Sequence, residues 1–421
     1  MKLSKLILAG ILAAGFASVA NAQTYVRFTG STAFRTQAIQ AIQAALSPGY
    51  KCAYNGTSLT GANDQIFSGS VSGTSVIIKA HWNGSEAGIQ LVAQDASGLA
   101  TGYLPDSSIP VSGTASVTDA LSDVSIPDVT FSDTFQATSQ FNSSASIIIS
   151  GTAHTYASLV GANGYSGGVV GIVPFKWIAS NGGKLGSSGT ITNMTSQLAR
   201  SLFTVSKVGS GGSLPLSLFT ALTSDTSVNV YPVGRNPDSG TRLTEFAETG
   251  LGALKVVTQY QPVQSGTTAV VTGTTQTMGS IQLWPVDTVN GISIVKANSG
   301  YASGGQLGAA LALDTSSITT PQGTGGILVG FLSTGDAAVG IAGLARELSF
   351  NGVFYSTTAV TTGQYTAWSY EHIYYRSGSS VSGIADTIAQ QVHDNTAPVK
   401  TSQMLVGRLT DGAAVTYGNS Y

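Results

Sequence analysis

Charge is what this chain has least of. Only 9% of its 421 residues are Asp, Glu, Lys or Arg, and the formal net charge is −2. That leaves no basic excess to follow a phosphate backbone, so nucleic acid is excluded as a partner. Cysteine is almost absent. The single Cys52 rules out an internal disulfide and any cysteine-based zinc site, and a buried structural thiol is its default role. His81, His154, His372 and His393 are scattered without zinc-ligand spacing, so no metal and no other cofactor is expected. Ser239 lacks a Gly-x-Ser-x-Gly elbow, which leaves a nucleophilic triad without support, and the chain reads as a non-enzyme. Beyond the N-terminus no apolar run is long enough to span a membrane.

Glycine, serine and threonine fill the gap. There are 52 glycines in a chain that is 42% hydrophobic, which argues for a turn-rich exported protein and against disorder. The length suffices for two or more domains. Met1 to Ala22 reads as a cleaved signal peptide: Lys2 and Lys5, an apolar Leu6 to Phe16, then Ala20-Asn21-Ala22. Those two lysines belong to the leader, leaving 16 basic against 20 acidic residues in a mature chain that starts at Gln23. No cysteine follows the cleavage site, so a periplasmic or secreted protein without a lipid anchor is expected.

Patterning along the chain predicts strands alternating with helices, hence an α/β protein with a parallel or mixed sheet. Tyr25 to Phe28, Ser75 to Lys79, Asp128 to Asp133 and Val169 to Phe175 read as strands. Ala33 to Leu46, a run opening at Ile89, Asn193 to Phe203 and Ile384 to Val392 read as helices. Ile327 to Leu332 looks helical, Ala338 to Leu344 looks strand-like, and Tyr370 to Arg376 reads as a strand of the first lobe. The Ser/Gly-rich stretches at 96–127, with a helix-like Val117 to Leu121, and at 137–168 read as surface excursions.

One design recurs within this pattern. Val233-Gly234-Arg235-Asn236-Pro237-Asp238-Ser239-Gly240-Thr241-Arg242 joins a strand-like run to a helix-like one. Asp238 or Ser239 can cap the helix, and its first N–H groups then point at whatever lies in front of them. Thr29-Gly30-Ser31-Thr32 and Gly84-Ser85 repeat the strand, small-residue turn, helix arrangement. In open α/β sheets such turns gather beyond the carboxyl ends of the strands. The candidate donors are Ser31, Thr32, the N–H groups of Ala33 and Phe34, Ser85, Arg235, Ser239, Gly240 and Thr241. Their expected guest is an oxyanion, for which the planar fork of Arg235 is suited. Asp133 is the odd member, able to accept a proton-bearing oxygen. Arg35, which flanks the first turn, reads as a solvated helix-face residue, with electrostatic stiffening of the site as the alternative.

Taken in order, Thr29 to Phe34, Gly84-Ser85, Phe131-Ser132-Asp133 and Arg235-x-x-x-Ser239-Gly240-Thr241 resemble the exported phosphate-binding proteins of bacterial ABC phosphate importers. The Gly335 to Leu344 stretch also looks like that family's return crossing between lobes. The resemblance implies a two-lobed periplasmic-binding-protein (venus-flytrap) fold with mixed sheets and a hinge of two crossovers, near 170–176 and 340–345. It places lobe I at 23–170 plus 345–421 and lobe II at 171–344. It implies inorganic phosphate as ligand, an ABC transporter permease as partner, and a monomer. Ser31, Thr32, Ala33, Phe34 and Ser85 would bind phosphate oxygens, with Asp133 accepting the phosphate proton. Arg235 would form the ionic clamp, and Ser239, Gly240 and Thr241 would cradle the rest. The chain departs from the pattern at Gly84-Ser85-Glu86-Ala87-Gly88, where Glu86 adds a negative charge. A surface or adhesion protein on the same fold is the alternative reading.

Overall fold

The computed structural model describes residues 23–95, 98–204, 212–418 and 421; the expected leader at 1–22 lies outside the described residues. Val26 and Phe28, fully buried, anchor β1 (Thr24–Gly30). The next run forms α1 (Arg35–Ala45), which buries Ala38, Ile39, Ala41 and Ile42 as one stripe at helical spacing. An antiparallel run follows: β2 (Lys51–Asn55), β3 (Asp64–Val71) and β4 (Thr74–His81). β4 returns parallel to β1, with Val26 beside Ile78. α2 (Ser85–Ala93) then carries the chain over to β5 (Val129–Ser132), parallel to β1 on its other side. Parallel strands joined by crossover helices send the carboxyl ends of β1, β4 and β5 to one rim. Phe131 sits at the middle of this core, with Phe28, Phe34 and Trp82 rings 5.9, 6.4 and 5.6 Å away.

The second lobe starts on β6 (Val169–Ala179) and adds α3 (Ser196–Thr204), β7 (Asn229–Pro232), α4 (Gly240–Glu248) and α5 (Gly304–Leu311). β8 (Ile327–Ser333), α6 (Thr334–Ala342) and β9 (Arg346–Phe350) complete it. β7 and β8 are parallel, so their carboxyl ends also share a rim. Trp177 fills the centre here, 4.8 Å from Phe331 and 6.1 Å from Phe203 between ring centroids. Its indole N–H donates to Glu245 Oε2 at 2.8 Å, tying α4 to β6.

Two long strands carry one sheet through both lobes. β10 (Trp368–Arg376) pairs antiparallel with β6 on one side and β5 on the other. The resulting order, among the described residues, is β7-β8-β6-β10-β5-β1-β4-β3-β2 within a 14-stranded mixed sheet. After α7 (Ser382–Gln391), which packs on α1, the chain passes between lobes once more. Ala397 belongs to the first core and Val399 to the second, where Val399 O accepts from Ile172 N at 3.0 Å. The α/β, mixed-sheet, two-lobed expectation describes this architecture.

Several local expectations are corrected. Ile327–Ser333 is a strand, not a helix: a central strand covered on both faces is apolar at every position, which removes the period of two. Ala338 to Leu344 lies mostly in helix α6, whose cap is Ser333 Oγ accepting from Asp336 N at 3.2 Å. Its small residues permit close packing on α5, where a Cβ on Gly308 would lie 2.5 Å from Asp336 O. Gly335 to Leu344 is therefore no crossing between lobes. Residues 346–367, expected in lobe I, pack with the second core through Leu348, Phe350, Val360 and Tyr365, and the return passage is β10. The 96–127 stretch is more than a surface excursion. Leu104 packs on Ala53, Ile66 and Ile77, and Thr114–Val117 is an added strand beside β2 where a helix was expected at Val117.

Candidate functional site

The carboxyl ends of β1, β4, β5, β7 and β8 meet between the lobes. From the first lobe, Ser31 follows β1, Ser85 opens α2, and Asp133 ends β5; all three are about 1% exposed. From the second lobe, Arg235 and Ser239 lie between β7 and α4, Thr241 lies in the first turn of α4, and all three are no more than 2% exposed. The two sets touch. Ser85 Oγ donates to Asp133 Oδ1, Thr241 Oγ1 donates to Asp133 Oδ2 at 2.9 Å, and Thr244 Oγ1 donates to Asp133 O at 3.0 Å. Glu86 N donates across the same junction to Asp238 O at 3.0 Å.

Glycine makes this closeness feasible. A Cβ on Gly240 would stand 1.7 Å from Asp133 Oδ1, and one on Gly84 would stand 2.3 Å from Asp238 O. Gly84 also has a φ of 113°, which a side chain would strain. Ser239 caps α4, its Oγ accepting from Arg242 N at 3.2 Å. Ser31 does the same for the turn before α1, accepting from Phe34 N at 3.2 Å. The N–H of Phe34, expected to face a ligand, is thus committed, and the Phe34 ring is core. Among the described residues, the N–H groups of Thr32, Ala33, Gly240 and Thr241 have no intrachain acceptor. Those of Gly240 and Thr241 carry the positive end of the α4 dipole.

Arg235 is locked from behind. Its Nε donates to Tyr301 O at 3.0 Å and its Nη2 to Ala302 O at 2.8 Å. Its own carbonyl accepts from Arg242 Nη1 at 3.0 Å and Gln259 Nε2 at 3.1 Å. Burial lowers the guanidinium to about 10, against the pull of Asp336 and Asp133, so it stays charged. Burial also raises Asp133, while Ser85, Thr241 and Arg235 hold it down. The geometry therefore gives a dry, interlobe cluster of backbone donors, hydroxyls and one fixed cation around a carboxylate.

Glu86 does not join this cluster. Its carboxyl takes Ser139 Oγ at 2.7 Å and Thr134 Oγ1 at 3.0 Å, and burial lifts it to about 7. Three groups left off the list of candidate site residues do come close. Asp336, in the first turn of α6, is half-buried and faces both Arg35 and Arg235. Its signal was Ser333-x-x-Asp336, a helix-start pattern. Arg35 is half-buried at the cleft, donating to Asn63 Oδ1, instead of solvated on the helix face. Glu371, on β10, is fully buried beside Asp133. Its signal was an acid inside a continuous apolar strand. A cavity of about 250 Å³ opens next to these groups, between Thr32, Arg35 and Ser58 on one wall and Ser333, Gly335 and Asp336 on the other.

No protein-family model and no curated protein matches the chain. Among solved structures it is similar to an ABC-type phosphate transport receptor from Vibrio cholerae, at 12% identity over 86% of this chain and 92% of that one, TM-score 0.37. It is similar to PstS from Borrelia burgdorferi, at 12% identity over 88% and 97%, TM-score 0.35. A third is a possible phosphate binding protein from Planctomyces limnophilus, at 11% identity over 89% and 88%, TM-score 0.37. Likenesses this loose carry no argument about individual residues.

Proposed function

We propose that this chain is an exported solute-binding protein that captures inorganic phosphate between its lobes and delivers it to an ABC importer permease. The observation that carries the reading is the meeting of two helix N-terminal turns, from different lobes, with a locked arginine in a site closed to water. Thr32, Ala33, Gly240 and Thr241 offer backbone N–H groups, Ser31, Ser85 and Ser239 offer hydroxyls, and Arg235 offers its fork. Donors converging from both sides suit a tetrahedral oxyanion. Phe34 supports the turn through its ring instead of binding.

Asp133 supplies the selectivity. Monohydrogen phosphate carries a proton that Asp133 accepts, whereas sulfate at neutral pH would set an oxyanion against a buried carboxylate. Sites with such unmatched polar groups discriminate by roughly 10⁴-fold. Phosphate entry exchanges the Ser85 and Thr241 hydrogen bonds, now spent on Asp133, for bonds to the ligand. Closure brings the lobes together about the β6 and β10 passages, and the chain acts as a monomer.

Calorimetric titration of the mature protein, freed of bound anion, with phosphate and then sulfate near neutral pH tests this. Tight phosphate binding with weak sulfate binding is expected. Binding of neither anion would sink the phosphate assignment, and an Asp133→Asn variant with unchanged phosphate/sulfate preference would remove Asp133 from the selectivity role.

A further inference from the structure

Glu371 is the unexplained group in this cleft. It sits on β10 opposite Gly171 of β6, whose missing side chain makes room for Ala397 and the Phe34 ring. It is 0% exposed, and the hydroxyl of Ser31 is the one hydrogen-bonding group beside its carboxyl among the described residues. Ser31 lies alongside it and Asp133 acts on it electrostatically. An isolated carboxylate in such surroundings is too costly to keep and takes up a proton instead. Burial first, and then the Asp133 charge, push Glu371 well above the ordinary carboxyl range.

The other titratable groups packed around β10 are already engaged. Glu86 of α2 accepts from Thr134 and Ser139, and Glu245 of α4 accepts from Trp177. Lys176 of β6 pairs with Glu347 at 2.6 Å, and Asp386 of α7 accepts from Tyr375 Oη at 2.8 Å. Arg408 of the C-terminal segment pairs with Glu248 at 2.8 Å, and Asp411 accepts from Phe135 N at 3.0 Å. On β10 itself, His372 Nδ1 turns to Gly167 O at 2.9 Å, and Arg376 Nε donates to Val92 O at 2.6 Å. Tyr374 also feels the Glu371 charge. Glu371 is the acid beside the donor cluster that has only the Ser31 hydroxyl and no cation to hold it.

We propose that Glu371 is a specificity-determining residue of the interlobe site, a neutral carboxylic acid whose O–H is donated to an oxygen of the bound oxyanion. The inference rests on the phosphate reading and deepens it. Asp133 takes the ligand's proton while Glu371 supplies one, so the site sorts tetrahedral oxyanions by two protons of opposite direction. Ionised Glu371 repels the ligand, and binding weakens as that proton is lost.

Phosphate affinity of the wild type and of Glu371→Gln is measured by calorimetry from mildly acidic to alkaline pH. The amide still donates but does not titrate. Taking the ratio of the two affinities cancels the titration of phosphate itself. That ratio is expected to fall with pH, by roughly tenfold per unit beyond the point where Glu371 ionises. A structural role for Glu371 would lower the melting temperature without bending the ratio. A flat ratio with phosphate still bound overturns the Glu371 proposal and leaves the phosphate reading standing. No phosphate binding by the wild type at any pH overturns both. Should the variant not fold, the wild type is titrated at alkaline pH in two buffers of different ionisation heat. Net proton uptake supports the proposal, and none overturns it.

Discussion

Two buried charge clusters lie on the first-lobe sheet, and they are finished differently. On one face of that sheet, Lys79 has a side chain only 2% exposed, with Asp106 and Asp123 each 2.7 Å from its Nζ. Arg27 joins Asp123 at 3.3 Å. Every charge there meets an opposite charge supplied by the 96–127 stretch. In the cleft, Asp133, Asp336 and Glu371 gather near the fixed cation Arg235 and half-buried Arg35, while backbone donors from two lobes lack acceptors among the described residues. Burial of charge alone does not mark function. Unused donors that converge on one point from two lobes do, because buried polar atoms left over elsewhere, such as Arg27 Nε, stand singly.

The sharpest way to break the comparison is to remove one cation from each cluster. Arg235→Met leaves Asp133 without its counter-charge and Asp336 with Arg35 alone. About 3 kcal/mol of stability is expected to go, together with all measurable phosphate binding, read by denaturant melts and calorimetry. Lys79→Met should cost about 2 kcal/mol, less because Asp106 is 45% exposed at its side chain. Its phosphate affinity should stay unchanged. Equal loss of binding in both variants would erase the distinction.

Gly240→Ala tests the contact between lobes. A methyl group 1.7 Å from Asp133 Oδ1 forces the lobes apart, at about 1–3 kcal/mol. An increased radius of gyration by small-angle scattering and weaker phosphate binding are expected.

The pH dependence of stability should separate the Lys79 cluster, by sign, from acids elsewhere that are raised by burial. Glu245 at about 8, and Glu86 and Asp411 at about 7, are raised by burial. The native state therefore holds protons that the unfolded chain has lost, and stability falls as pH rises from about 4.5 to about 8. Around Lys79 the signs invert. Burial works against Asp106 and Asp123, but the Lys79 hydrogen bonds prevail and hold both below the ordinary range. That contribution is lost as pH falls through their folded values. Melting curves of Glu245→Gln should flatten the alkaline limb and leave the acid limb alone. The smallest effect belongs to Thr241→Val, which removes one hydroxyl donor from Asp133 at about 1 kcal/mol; a cost near zero would show that the bond contributes nothing to holding the lobes together.

Much of the fold was legible because local rules and tertiary context agreed. Val26 and Phe28, the Gly/Ser/Thr turns and the α1 stripe each state their structure within a few residues. Reading failed where context overrode the pattern. Ile327 to Leu332 loses its strand period because both faces are covered, and the glycines of α6 serve packing against α5, not extension. Glu86 looked like an intruder in the site until the fold supplied Ser139 and Thr134 to its carboxyl.

By itself the sequence determined which segments end in small-residue turns, which carry donors, and that one acid, Asp133, accompanies them. Those are local facts, written within ten residues. Only the tertiary structure decided that five strand ends share one point, that Thr241 reaches Asp133 across 108 positions, and that Glu371 and Asp336 stand beside them. The physical reason is that dehydration and electrostatic coupling belong to neighbours in space. A glutamate in an apolar strand says only that it is buried; what it faces is set by the strands on either side.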